Sequence, residues 1–241
     1  MVNSIKPVLL INPNTNTATT DLMVQTFAAA LGQADPALAG FPVVGITASS
    51  GPAMITNEDE LAAAAAATVS AYRSWHEDHG LPAAIVVAAF GDPGLDVLSR
   101  QPVPVLGIGS HTVLEVARRV RAGGHRFGIA TTTPGLRQSL EYLCSRELDV
   151  LAGIEFTGTA PTVLAASPQD QDDELAEAVS RLVAAGATEV IIGGGPLTGS
   201  AARLVDVVPT QERFVTRAGT RVDIIVPLQE VARSLAPLLT P

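Results

Sequence analysis

Two segments of this chain share one design, an apolar run that ends in a turn of small residues: Ala84-Ile85-Val86-Val87-Ala88-Ala89-Phe90-Gly91-Asp92-Pro93-Gly94-Leu95 and Glu189-Val190-Ile191-Ile192-Gly193-Gly194-Gly195-Pro196-Leu197-Thr198-Gly199. Short apolar runs without alternation suit strands covered on both faces, the condition of parallel sheets flanked by crossover helices. Similar runs recur along the chain and predict strands over 8–11, 43–47, 84–88, 103–106, 127–131, 154–157, 190–192 and 222–226. Between them, alanine- and leucine-rich stretches predict helices over 17–31, 59–76, 110–122, 134–148 and 172–185. The pattern is that of an α/β fold with largely parallel sheets. Helix punctuation agrees: Pro134 suits a first turn, Gly80 and Gly186 suit helix ends, and Ser110 is placed to cap the segment after it.

The recurring strand-turn unit, with no Pro/Gly/Ser linker between its copies, points to two pseudo-symmetric α/β lobes with an active-site cleft between them. The expected division is residues 1–107 plus 213–241 for the first lobe and 108–212 for the second. In open parallel sheets, ligands bind beyond the carboxyl ends of the strands, so the turns there are where chemistry is expected.

Charge and composition exclude several classes. With 15 basic against 24 acidic residues and no basic run, the chain lacks the cation cluster that nucleic acid requires. The uncharged, alanine-rich stretch 61–72 falls short of the roughly 20 apolar residues of a membrane span. Lys6 is the single lysine and stands near the N-terminus, which removes the buried Schiff-base lysine of pyridoxal phosphate chemistry; no cofactor and no metal are expected. Met1 to Lys6 lack the apolar core of a signal peptide, and the one cysteine, Cys144, has no internal partner, so a cytoplasmic location is expected.

Several positions carry candidate chemistry. The run Ile11-Asn12-Pro13-Asn14-Thr15-Asn16-Thr17 ends a strand in amides and hydroxyls before a helix, offering donors to a carboxylate or cyclic imide; it also reads as an ordinary capped turn. His111 falls in the first turn of a predicted helix, where the dipole favours neutral imidazole, a base or a carbonyl polariser; it reads equally as a packing histidine. Asp92 is a second acid/base candidate, although Asp-Pro-Gly is common turn chemistry. Thr131, Thr132 and Thr133 end a strand and can cap the next helix. Gly193-Gly194-Gly195 can form an anion-binding nest but lacks the lysine and spacing of a P-loop. His76 and His79 are spaced for a metal pair but read as a solvated helix end. Cys144, with Leu136, Leu140, Leu143 and Leu148, falls on the apolar side of a helix, where a thiol behaves as a small hydrophobe.

Taken together, Ile11-Asn12-Pro13-Asn14-Thr15, Gly51-Pro52-Ala53-Met54-Ile55 and Phe90-Gly91-Asp92-Pro93-Gly94-Leu95 resemble the hydantoin and allantoin racemase branch of the Asp/Glu racemase superfamily. The resemblance spans most of the chain and implies a small carboxylate or cyclic ureide as ligand, with a homo-oligomer left open. It places Asn14, Thr15, Ala89, Phe90, Asp92, Thr131, Thr132, Gly194, Gly195 and Thr198 around one site. In that family, paired thiols on opposite sides of a carbon acid remove and return the proton; the matching positions here read Ala89 and Gly194, which transfer none. Three readings follow: cysteine-independent isomerase or lyase chemistry using His111 and Asp92, a catalytically silent ligand-binding homologue, or a racemase whose cysteines were substituted.

Overall fold

The computed structural model describes residues 5–207, 211, 214–217 and 219–240. The chain forms two compact units. The first comprises the chain up to Ile55, Asp59–Ile108 and the chain from Leu228; the second comprises Thr56–Glu58 and Gly109–Pro227.

The first unit holds β1 (Val8–Asn12), α1 (Thr17–Ala34), β2 (Val43–Thr47), α2 (Glu58–His79), β3 (Ala84–Val87), a short α3 (Leu95–Leu98) and β4 (Val105–Gly107). The second holds α4 (Ser110–Gly123), β5 (Phe127–Thr131), α5 (Arg137–Leu143), β6 (Leu151–Phe156), α6 (Pro161–Leu164), α7 (Pro168–Ala184), β7 (Glu189–Ile192), α8 (Thr198–Val207) and β8 (Asp223–Ile225). The chain then returns to the first unit as α9 (Pro227–Leu239). Both sheets are wholly parallel and share one strand order, β2-β1-β3-β4 and β6-β5-β7-β8.

Burial follows strand position. The central strands β1, β3 and β5 are buried along their whole length, whereas the edge strands β2 and β6 are half-exposed. The expectation of strands covered on both faces therefore holds for the sheet centres and fails at these edges, where one neighbour is missing. In the first unit, Val8, Leu10, Ala84 and Val86 pack against Phe27 and Leu31 of α1 and Val231 and Leu235 of α9. Leu9, Ile11, Ile85 and Val87 point to the other face, toward Tyr72 of α2 and Leu98 of α3, as the strand period of two requires. In the second unit, α7 and α8 cover Ala130, Val190 and Ile192.

Several sequence expectations are revised. The expected boundary at 212/213 lies outside the described residues; the return to the first unit comes at Leu228, because β8 pairs with β7 and holds the preceding segment in the second unit. The helix expected over 134–148 is a 3-10 turn (Pro134–Leu136) followed by α5, which stops at Leu143. Leu148 is consequently 65% exposed and leaves the apolar stripe. Ser110 is the first residue of α4 rather than its cap, which is Gly109. The helix α8 carries no strong punctuation in sequence; α9, opened by Pro227, is held by its apolar face, Leu228, Val231, Ala232 and Leu235, which closes the first core.

In the second sheet a large residue fills the space over a strand that lacks a side chain. A Cβ on Gly128 of β5 would come 2.7 Å from Cδ2 of Leu182, and Leu182 is 1% exposed. Leu182→Ala should lower unfolding free energy by about 2–5 kcal/mol in denaturant titration, since glycine neighbours cannot refill the cavity.

Candidate functional site

All strands of each sheet run parallel, so their carboxyl ends and the turns that follow lie on one edge of that sheet. In the first unit, β1 ends in a network of amides. Asn12 Nδ2 lies 3.0 Å from Asn14 Oδ1, 3.0 Å from the Asn16 carbonyl and 2.9 Å from Thr20 Oγ1. Asn14 Oδ1 also accepts from Asn16 N–H at 2.9 Å, and Asn16 caps α1 by accepting from Thr19 N–H. The network is anchored to β2 through Thr20 and Thr47, whose hydroxyls are 2.6 Å apart. Asn14 is buried, yet its Nδ2 has no partner among the described residues and remains a donor for a ligand. Thr15 is half-buried and held by its N–H to the Pro52 carbonyl at 3.1 Å.

The turn after β3 carries the second feature. Ala88 N–H makes the last rung to Ile11 at 2.8 Å; the N–H groups of Ala89, Phe90 and Gly91 then have no acceptor among the described residues. Ala89 is half-buried and Phe90 buried. The turn closes through Asp92 N–H to the Ala89 carbonyl at 2.9 Å. Asp92 has φ 49°, a left-handed conformation that Asp tolerates better than most residues. Its carboxyl group lies over Gly107 at the end of β4: a Cβ there would come 2.3 Å from Asp92 Cγ. Only glycine at 107 leaves room for the Asp92 carboxyl group at the strand-end edge.

In the second unit Thr131 ends β5, but its hydroxyl donates to the Gly193 carbonyl at 2.7 Å and lies 3.1 Å from Thr133 Oγ1. Thr131 therefore braces two strand ends. Thr132 is buried and its hydroxyl has no partner among the described residues. Thr198 starts α8 and donates its hydroxyl to the Gly195 carbonyl at 2.7 Å, closing the turn. Of the three glycines expected to form a nest, Gly193 uses its N–H as the last rung to Ala130 at 2.9 Å. The N–H groups of Gly194 and Gly195 have no acceptor among the described residues. In the turn after β6, Glu174 accepts from Gly158 and Thr159 N–H, and its hydrogen bonds with Thr159 hold its carboxyl below the usual range.

The two turns are equivalent by register. Val8 pairs with Ala84 as Phe127 pairs with Glu189, and each strand end is followed by one further ladder bond, from Ala88 and from Gly193. Ala89 and Gly194 each stand two residues past their strand, and both are half-buried. Asp92 N–H bonds the Ala89 carbonyl as Leu197 N–H bonds that of Gly194. The same turn thus presents a carboxylate in one unit and a leucine in the other. Leu197 also covers Gly194: a Cβ there would meet Leu197 Cγ at 2.9 Å and Cδ1 at 3.0 Å. Gly194 itself lies outside the left-handed region, so the obstacle to a side chain is Leu197 and not backbone strain.

His111 is half-buried in the first turn of α4, in the second unit. Cys144 is fully buried, and burial, with a smaller contribution from Glu147, pushes its thiol up to about 12. His76 and His79 stack on Tyr72 and Trp75 at the end of α2, and no cluster of three metal-ligating side chains occurs among the described residues. Sequence reasoning missed Asn12 as the hub of the amide network, Gly107 as the seat of Asp92, Leu197 as the lid on Gly194 and the open N–H groups of residues 89–91. The Asn-x-Asn-x-Asn spacing hints at the first; the others depend on neighbours distant in sequence.

Comparison with known proteins bears on these strand ends. Among solved structures, the allantoin racemase from Klebsiella pneumoniae superposes with a TM-score of 0.75 at 23% identity, covering 98% of this chain and 89% of that one. The allantoin racemase from Pseudomonas fluorescens gives a TM-score of 0.75 at 22% identity, covering 96% and 91%. An arylmalonate decarboxylase gives 0.58 at 18% identity, covering 95% and 92%. At these identities the likeness establishes the fold. No protein of curated function matches the chain. The Asp/Glu/Hydantoin racemase family model matches residues 8–218, nearly the whole chain, and with it the amide-rich β1 end and both small-residue turns; the chain belongs to that family.

Proposed function

We propose that this protein acts on a small hydantoin-like ring or carboxylate by isomerase or lyase chemistry in which no thiol takes part. The observation that carries this reading is the pair of register-equivalent positions Ala89 and Gly194, neither of which bears an acid or base, in a chain whose one thiol is buried at Cys144. The similarity of the fold to allantoin racemases and to an arylmalonate decarboxylase supports the ligand class.

The strand-end turns retain what stabilises negative charge. The open N–H groups of Ala89 and Phe90, and of Gly194 and Gly195, are fixed donors for a carboxylate or for the oxygen of an enolate. Asn14 Nδ2, Thr15 and Thr132 supply further polar contacts, Phe90 an apolar one, and Thr131 and Thr198 hold the turns in shape. When a C–H bond to the carbon beside a carbonyl breaks, a base takes the proton, and when a C–carboxylate bond there breaks, carbon dioxide leaves; in both cases the bond's electron pair moves onto the carbonyl oxygen, and a proton returns to the carbon from a general acid. Asp92 and His111 are the groups assigned to these proton transfers. Leu197 holds in the second unit the turn position that Asp92 holds in the first, so the repeat supplies one carboxylate rather than two, which favours elimination, decarboxylation or one-base isomerisation over two-base racemisation.

The covering of Gly194 by Leu197 favours a second reading, a homologue that binds the same ligands without turnover. It disfavours simple cysteine substitution, since a racemase altered only at 89 and 194 would retain space for the lost side chain. Proton NMR in deuterium oxide separates the two: hydantoins, allantoin, amino acids and malonates are incubated with the protein, and loss of substrate or deuterium uptake marks turnover. Saturable binding with no chemistry on any of them would establish the silent homologue.

On any substrate turned over, Asp92→Asn should lower kcat by roughly 10²–10⁴-fold, the usual worth of a general acid or base. His111→Gln should flatten the pH profile, and an unchanged profile returns His111 to a packing role. Cys144→Ala and prior treatment with iodoacetamide should leave the rate unaltered, because a thiol pushed up to about 12 stays protonated and inaccessible at neutral pH; inactivation by alkylation would overturn the thiol-free reading.

The lid on Gly194 generates a separate expectation. Gly194→Cys alone should destabilise the fold by about 1–3 kcal/mol through overpacking against Leu197. Thiol-dependent exchange of a substrate α-proton should then appear in the triple variant Ala89→Cys, Gly194→Cys, Leu197→Ala and stay near background in the double variant that keeps Leu197. Equal exchange in both would show that Leu197 yields freely.

A further inference from the structure

A cavity lies on the edge of the β5–β8 sheet opposite the strand-end turns. It encloses about 350 Å³ at the amino ends of β5 and β7, where Arg126 and Thr188 precede the strands. A strand of this length places it some 15 Å from the strand-end turns at Thr131 and Gly194, at roughly 3.3 Å per residue. Among the described residues, the polar side chains lining it are His125, Arg126, Thr188, Thr216, Arg217 and Thr220, with no carboxylate among them. In a chain of formal charge -9, that concentration of cations is unexpected.

Its cations are also not neutralised. Elsewhere on this unit the arginines face acids: Arg119 binds Glu189, Arg121 binds Glu147 and Asp149, and Arg203 binds Asp172. Arg126 instead spends its fork on backbone carbonyls, donating to Ala185 at 3.2 Å and Leu151 at 2.6 Å, so its position is fixed while its charge has no counter-ion among the described residues. The side chains of Arg217 and His125 have no hydrogen-bonding or ionic partner among the described residues. Val183, Ala184 and Ala185 form an apolar wall on the α7 side. Bare inorganic anions leave such a wall unused, and the volume is at the lower end of that for small-ligand sites.

We infer that this cavity binds a small organic anion, its phosphate or carboxylate oxygens on Arg217, His125 and the hydroxyls of Thr216 and Thr220 and its short apolar body along Val183–Ala185. Arginine supplies the charge-assisted donors that either oxyanion accepts. The site is independent of the chemistry assigned to the other edge of the sheet.

The test is a titration of the ¹⁵N-labelled full chain, followed through the amide resonances of Gly124 and Gly186 at the cavity rim. Monobutyl phosphate and hexanoate are the probes, with sodium chloride at matched ionic strength as control. Saturable movement of both resonances is expected for at least one probe, and the probe that saturates at lower concentration identifies the oxyanion. The double variant Arg217→Gln, His125→Gln should weaken binding roughly tenfold or more with an unchanged Tm, since the altered side chains are exposed. If that variant does not fold, Arg217→Gln alone should show the weakening. No saturable movement with either probe, movement reproduced by chloride, or undiminished affinity in the folded variant would overturn the proposal.

Discussion

The last rung of each central parallel ladder determines what the strand ends can do. Ala88 N–H bonds Ile11 and Gly193 N–H bonds Ala130, and one residue later each chain turns away from its neighbour. From that point the backbone amides have no strand to pair with, and the turn closes back through Asp92 or Leu197 rather than onto the sheet. A buried N–H without an acceptor is costly, so a ladder geometry that leaves amides open at a strand end is reconciled with stability by a ligand or water that accepts from them. Strand order, register and the placement of Asn14, Thr132 and the glycines all follow from where those ladders stop.

The same geometry appears in both units with different side chains, and the difference carries the chemical content. At the equivalent turn position the first unit has Asp92, seated over Gly107 in a left-handed conformation, and the second has Leu197, folded over Gly194. A symmetric pair of proton-transferring groups would make either face of a carbon acid available; a carboxylate opposed in the repeat by a leucine does not. Neither Ala89 nor Gly194 carries an acid or base, Leu197 packs over Gly194, and the hydroxyls of Thr131 and Thr198 brace the scaffold.

Much of this architecture is legible in sequence because its causes are local. Apolar runs of strand length and helices with capping residues reveal the parallel α/β pattern, and β2 and β5 occur over the expected residues. Asn16 caps α1, as the amide-rich turn suggests. Where the cause is distant, the reading fails: α9 depends on the core it completes, α5 stops at Leu143 although its pattern continues, and the return to the first unit at Leu228 follows from β8 pairing with β7.

The sequence by itself determined the family, the strand-turn repeat, the absence of thiols from positions 89 and 194, and the candidacy of Asn14 and Asp92, since each of these is a matter of residue identity at a spacing. Tertiary structure alone decided which polar groups remain open. Thr131 and Thr198 look like ligand donors until their hydroxyls are found on Gly193 and Gly195, while the second Gly-rich turn loses one of its three amides to the ladder. Gly107 and Leu197 acquire meaning only through contact with Asp92 and Gly194. The physical reason is that a hydrogen-bonding group's availability, and the space beside a Cα atom, depend on what the fold brings within a few ångströms, and no residue carries that information in its own identity.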